Sequence, residues 1–303
     1  MRMSVLTVAA GRVLRLAVLL ALVFAAGSAA AQGAPPWGRN QSPVDITPPR
    51  ESAVPVFTDT AGLEVTTAFT LKNTTGTNWC KRPGPDTCEG TVDQRWASLK
   101  AYAPEKPTPI GEAPQITFGG ARYTLKEFHF HYPAEHLIKG QLDRMEIHFV
   151  FHKNGAAGCT AGEYLVVGQL IEQGSANEEL EKIFGPGVPL PGPGQSYGPV
   201  SITVSNILRG FPATTSSYRY AGSLTAPAEI ENCIPPSGPR NPNQLGIGLL
   251  PEVVSWVLLT HPLTLSHEQI ERFEALFPEG NSRAPQDLYQ DVKMGPDARR
   301  PAI

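Results

Sequence analysis

Five of the chain's seven histidines fall between positions 129 and 152, and three of them are spaced so that one metal ion can be gripped. The central string is Glu127-Phe128-His129-Phe130-His131. In a β-strand successive side chains alternate between faces, so His129 and His131 share one face and Phe128 and Phe130 the other. At roughly 3.3 Å per residue the two imidazoles stand about 7 Å apart along that face, close enough to converge on one ion. A second alternating string, Met145-Glu146-Ile147-His148-Phe149-Val150, puts Glu146, His148 and Val150 on one side. Folding the two strings as an antiparallel pair, with a turn near Lys139-Gly140-Gln141, brings His148 to face the His129/His131 pair. Three neutral nitrogen ligands leave the ion's full charge to act on water, and an open fourth position is what a catalytic zinc site needs.

The bland reading has weight. A lone histidine in a strand is ordinarily a satisfied core or surface residue, and a His-x-His pair alone leaves metal binding and coincidence evenly matched. The third histidine, the alternating aromatics and the interleaved carboxylates Glu127 and Glu146 tip the balance to Zn2+. A structural zinc is disfavoured, because no fourth protein ligand sits at short spacing.

Rigid strands must carry such a site. Short alternating segments recur at Leu63–Thr66, Phe69–Lys72, Gln115–Phe118, Lys126–His131, Met145–Phe151, Tyr164–Ile171 and Ser255–Thr260, each reading as a half-buried strand. Two helices are expected, over Asn177–Phe184 and Ser266–Phe277, the second opened by Ser266 as cap with Gln269 closing a capping box. The Pro-punctuated stretch Trp37–Pro49 reads as extended on the surface. The stretches Cys80–Pro109 and Ile234–Pro251 read as excursions from the sheet. The fold class is mainly β (α+β): one domain with a large, mostly antiparallel twisted sheet, a few short helices and long loops.

Composition agrees. In 303 residues only 17% are charged, with 30 Pro and 29 Gly, which argues against long helices and coiled coils. A net charge of -3 gives no reason to expect nucleic acid as a partner. Arg2, Arg12 and Arg15 precede the apolar run Leu16–Ala26 and the small residues of 27–31, the form of a secretory signal peptide cut after Ala31. Residues 32–303 then form the catalytic domain, with no membrane anchor left after cleavage. Export to the periplasm is expected, with full secretion as the alternative. Four cysteines in an oxidising compartment suggest two disulfides. Cys80 and Cys88 flank a Pro/Gly turn and are paired locally, leaving Cys159 with Cys233.

Taken together, these residues resemble an α-class carbonic anhydrase of the exported bacterial type, over about Trp37 to Gln290. The resemblance is carried by Asn40-Gln41-Ser42-Pro43-Val44-Asp45-Ile46, Phe128-His129-Phe130-His131, Pro133-Ala134-Glu135-His136, Glu146-Ile147-His148-Phe149-Val150, Tyr220-Ala221-Gly222-Ser223-Leu224-Thr225, Ser255-Trp256-Val257-Leu258 and Asn281-Ser282-Arg283-Ala284-Pro285-Gln286. It implies a lyase: zinc-bound hydroxide attacks CO2, giving bicarbonate and a proton. The zinc-bound water of carbonic anhydrase itself titrates near pH 7, a value belonging to that known case and not worked from this chain. By motif, Thr225 accepts a hydrogen bond from the hydroxide and Glu135 one from Thr225. Glu146 fixes the His148 tautomer, His136 supports Glu135, and Val150, Val166, Leu224 and Val254 wall the CO2 pocket. Sulfonamides and small anions are the expected inhibitors at the zinc, and a homodimer is a further candidate assembly.

The chain also departs from the pattern. Many family members carry a proton-shuttling histidine in a segment resembling Asn73-Thr74-Thr75-Gly76-Thr77, but no histidine precedes His129 here. Glu127 stands where Gln is common, which makes His129 a more electron-rich ligand. Ala226 and Ala228 replace residues usually Thr and Pro. Two other readings compete: a zinc esterase-type hydrolase using the same hydroxide, and a non-catalytic carbonic-anhydrase-like binding module. Modules of that kind usually have a damaged triad, whereas all three histidines stand here.

Overall fold

The computed structural model describes residues 41–47, 57–75, 78–83, 88–92, 97–156, 160–208, 217–226, 252–286 and 293–294. Eleven strands make the main sheet: β1 (Phe57–Asp59), β2 (Thr66–Asn73), β3 (Leu99–Tyr102), β4 (Gln115–Phe118), β5 (Ala121–His131), β6 (Met145–Lys153), β7 (Tyr164–Gln173), β8 (Ser196–Thr203), β9 (Ser217–Gly222), β10 (Val254–Leu265) and β11 (Lys293–Met294). Their spatial order is β8-β2-β3-β5-β6-β7-β10-β9-β11, with β4 on β5 and β1 on β4. Among the described main-sheet strands only β7 and β10 run parallel, and the other pairs are antiparallel, as expected.

Both faces of the sheet are covered. Phe128, Phe130, Ile147, Phe149, Phe151, Leu165, Val167 and Val257 point into the larger core, where Phe128 meets Phe149 at 5.4 Å and Phe69 at 5.1 Å between ring centroids. Fully burying each such side chain stabilises the fold by about 1.5–3 kcal/mol. The opposite face carries a smaller cluster of Val150, Val166, Val254, Trp256, Leu258, Tyr218 and Tyr220, joined by Val44 and Ile46. The alternating histidines fall on this second face.

A β-bulge sets which face they take. Val150 of β6 pairs with Glu127 of β5, but the next residue, Phe151, pairs with Leu125. The skipped residue is Lys126, which is exposed. Tyr123 and Leu125 on one side of it, and Phe128 and Phe130 on the other, therefore all reach the larger core despite opposite parity.

Several expectations need correcting. Leu63–Thr66 is not a strand: Ala61–Glu64 forms a 3-10 turn, and Gly62 lies so close to the Gln115 backbone that a Cβ there would clash. The Trp37–Pro49 stretch is not a surface ribbon over its described part. Gln41, Ser42, Val44 and Ile46 are buried, with Asp45–Ile46 pairing in parallel with Leu137–Ile138. The Cys80–Pro109 excursion includes β3, an interior strand of the main sheet. Of Asn177–Phe184 only Glu181–Phe184 is α-helical; before it, the Asn177 side chain accepts from the N–H groups of Glu179 and Leu180, holding a turn. The last helix spans His267–Glu274, and its capping box between Ser266 and Gln269 is complete.

The side chains of Cys80 and Cys88, all of Cys159 and Cys233, the proposed signal peptide 1–31, Ala228 and the loop 234–251 lie outside the described residues.

Candidate metal centre

Strands β5 and β6 pair antiparallel with His148 directly across from His129. The link between them is longer than a single hairpin turn. It carries a smaller hairpin, Leu137–Ile138 against Gln141–Leu142, whose two-residue turn puts Lys139 at φ 53° and Gly140 at φ 76°. Both values suit the mirror-image turn that a two-residue hairpin requires. The expected turn position thus holds, within the connection.

The three imidazoles converge. Their ring centroids lie 4.8 Å (His129–His131), 5.3 Å (His129–His148) and 4.7 Å (His131–His148) apart, and one nitrogen from each falls within 4.8 Å of the other two. All three are buried. Each ring commits its other nitrogen to an acceptor. His129 Nδ1 donates to Glu127 Oε2 at 2.8 Å, His131 Nδ1 to the Asn281 carbonyl at 3.0 Å, and His148 Nε2 to Glu146 Oε1 at 2.8 Å. Those bonds set the tautomers and aim Nε2, Nε2 and Nδ1 at the common centre. Among the described residues, buried His131 Nε2 has no hydrogen-bond partner. A buried polar atom left unpaired is costly, and a metal ion is what this donor set fits. Burial lowers the pKa of His131 to about 4 and also lowers that of His148, so both rings are neutral and ready to ligate at pH 7.

Glu146 anchors the support. Besides His148 it accepts from His136 Nδ1 at 2.7 Å, from His136 N at 2.8 Å and from Glu135 N at 2.9 Å. Burial pushes its carboxyl up, but the His136 and His148 rings beside it, by charge and hydrogen bond, hold it well below the usual range. The His136 ring continues to the Tyr220 hydroxyl at 2.6 Å, and Tyr220 to Ser42 Oγ at 3.0 Å. His136 therefore contacts Glu146 and Tyr220, and it is linked to Glu135 through Glu146 Oε2, which accepts from the backbone N–H groups of both. Glu135 lies beside the triad, with Oε1 3.4 Å from His131 Nδ1, and accepts from Arg283 N at 2.8 Å. Burial lifts its pKa to about 7, opposed by His148, by Arg283 N and by the Thr225 hydroxyl that faces it.

A narrow cleft opens on the centre. Lys100, His129, His148, Val150, Val166, Leu224, Thr225, Ala226 and Trp256 line it. Three of the four expected wall residues are there. Val254 is buried in the same cluster but is not among the residues lining the cleft.

Residues 30–234 match the family model described as eukaryotic-type carbonic anhydrase. The chain belongs to this family. A carbonic anhydrase of Klebsiella pneumoniae is 32% identical over 176 residues, covering 58% of this chain and 59% of that protein. One from Nostoc sp. is 27% identical over 173 residues, 57% of this chain and 54% of that one. The chain thus spans a little over half the length of these two carbonic anhydrases. The same fold appears in the α-carbonic anhydrase of Photobacterium profundum (TM-score 0.58, 22% identity, 86% of this chain and 90% of that one). It appears again in the α-carbonic anhydrase of Thermovibrio ammonificans solved with the inhibitor sulfanilamide (TM-score 0.57, 23% identity, 86% and 88%).

Within this carbonic anhydrase fold, sequence reasoning passed over four contributors. Trp256 packs against His148 and His136 at 4.9 and 4.8 Å between centroids, and its Nε1 donates to Ser223 O at 3.0 Å, fixing the segment that carries Thr225. Parity with Val254 and Leu258 was a usable signal for it. Arg283 donates to Ser42 O at 2.5 Å, and its position in the tail motif was the only clue. The Asn281 backbone oxygen had none, since any residue supplies one. Lys100 donates to Glu127 Oε1 at 3.2 Å, a buried ion pair that tempers the electron-rich ligand expected from Glu127 alone.

Proposed function

We propose that this protein is an exported zinc-dependent carbonic anhydrase that reversibly hydrates CO2 to bicarbonate and a proton. The observation that carries the reading is the triad itself: three buried imidazole nitrogens within 4.8 Å, each ring oriented by an acceptor on its other nitrogen. His129, His131 and His148 would hold the ion. Zinc, when bound, supplies Lewis acidity that brings the pKa of a water molecule into the neutral range.

The chain's residues do the rest. Glu127, Asn281 and Glu146 fix the tautomers of the ligands and keep them aimed. The Thr225 hydroxyl would donate a hydrogen bond to the Glu135 carboxylate and so present a lone pair, accepting a hydrogen bond from the nucleophile and orienting it. Glu135 must be ionised for this, and a divalent cation nearby favours the charged form that burial alone disfavours. Val150, Val166 and Leu224 offer CO2 an apolar wall beside that nucleophile, in the same cluster as Val254. Sulfonamides and small anions would compete at the same place.

Zinc content and CO2 hydration, measured with and without a primary sulfonamide, test the proposal. One zinc per chain and sulfonamide-sensitive hydration are expected, both lost in His131→Ala. One zinc with no hydration would overturn the enzyme reading. The same proposal includes a signal peptide ending at Ala31, a periplasmic location and disulfides Cys80–Cys88 and Cys159–Cys233. N-terminal sequencing of the exported protein and peptide mapping without reduction check these.

A further inference from the structure

We propose that Lys100 makes the cleft selective for small anions, its ammonium drawing bicarbonate-like monoanions toward the triad; this rests on the zinc site proposed above. Lys100 lies on β3, in register with His129 of β5. Its neighbours Leu99 and Ala101 point into the larger core, so alternation turns Lys100 to the histidine face. There it is buried, with only 9% of its side chain exposed. Nζ reaches Glu127 Oε1 at 3.2 Å.

The pair is oriented. Glu127 spends both oxygens on His129 Nδ1, at 3.0 and 2.8 Å, and does not line the cleft, whereas Lys100 does, with Thr225, Leu224 and Val150. The negative end of the ion pair therefore points into the sheet and the positive end toward the cavity. The other acid near the triad, Glu135, does not line the cleft either. A buried ion pair is a poor way to gain stability, because the desolvation cost can exceed the attraction. An uncharged hydrogen-bonding pair would hold His129 as well. What the lysine adds is a fixed positive charge on the wall of a site whose proposed ligands are neutral, and a charge there acts at reduced dielectric. With the carboxylate behind it offsetting part of the field, we expect about a tenfold effect on monoanion affinity, or 1.4 kcal/mol.

Thiocyanate titration of the cobalt(II)-substituted full chain, followed by visible absorption, tests this. Lys100→Met should weaken thiocyanate about tenfold, and Lys100→Arg should stay within about threefold of the parent. If Lys100→Met does not fold, Glu127→Gln is compared with the Lys100→Met/Glu127→Gln double variant, which leaves no unpaired buried charge. The same tenfold loss is expected between those two. An unchanged thiocyanate constant on removing the lysine overturns the inference while leaving the metal site standing. Failure of the parent protein to bind cobalt at all overturns both.

Discussion

Replacing Glu146 by Gln changes one oxygen to an amide, yet four donors converge on that carboxylate: His148 Nε2 and His136 Nδ1 on Oε1, and the backbone N–H groups of Glu135 and His136 on Oε2. An amide keeps one acceptor oxygen. Whichever way it turns, its NH2 faces two donors that lose their partner in a fully buried site. Each orphaned donor costs about 1–3 kcal/mol, so Glu146→Gln should destabilise the fold by about 2–6 kcal/mol. If the amide sits against the rings, the His148 tautomer is no longer fixed, and zinc affinity should fall 10–100-fold. Urea denaturation of the metal-free protein and zinc competition against a chromophoric chelator read the two effects separately. The pH dependence has a definite sign. The folded-state pKa of Glu146 lies below the ordinary 4.5, so its contribution is complete above that value and is lost as pH falls through the lower, folded pKa. The stability gap between parent and variant should be constant near neutrality and close in acid. A variant within 0.5 kcal/mol of the parent (an order-of-magnitude threshold for a negligible surface change) and with the same zinc affinity would refute the reasoning.

Three further outcomes are expected. Gly168 pairs with His148, and a Cβ there would meet Leu258 Cδ1 at 2.9 Å and Glu146 Oε1 at 3.1 Å. Gly168→Ala should therefore cost about 1–3 kcal/mol and weaken zinc binding, by denaturation and chelator competition. Ser266→Ala opens the capping box of His267–Glu274 and should cost about 1 kcal/mol with no change in zinc content, measured the same way. With no histidine before His129, CO2 hydration at saturating substrate should rise strongly with the concentration of a small imidazole buffer, as stopped-flow assays can show. A rate independent of buffer would mean that another group in the chain carries the proton.

What could be read from the sequence was local. Alternation over 127–131 and 145–150 placed the three histidines on one face because it needs only the strand period, and the Ser266 cap was visible because its partner is three residues away. The bulge at Lys126 was not visible. Leu125-Lys126-Glu127-Phe128 can be read with either of its two central residues as the extra one, and only pairing with Val150 and Phe151 decides. For the same reason β3 was missed. It is four residues long, and its place is fixed only by distant pairing with β5, Lys100 against His129. Leu63 failed in the opposite direction: its alternation was real, but the close approach of Gly62 to Gln115 bends the chain into a 3-10 turn.

The three ligands differ in how firmly they are held, and the difference indicates where the chain can vary. His148 is fixed from the central strand β6 by a carboxylate that is itself tied to two backbone amides and a second histidine, so its support cannot change one residue at a time. His131 leans on a backbone oxygen that any side chain at 281 would still provide, although the Asn281 side chain fastens that segment to Phe130 O and Ala97 O at 2.9 and 3.0 Å. His129 depends on Glu127, a side chain paired with Lys100 of β3, which lines the cleft. The Glu127–Lys100 pair sits at this third ligand, where a substitution alters the charge facing the cavity without disturbing the network beneath His148. Changes that retune the centre while keeping the metal should therefore gather around His129.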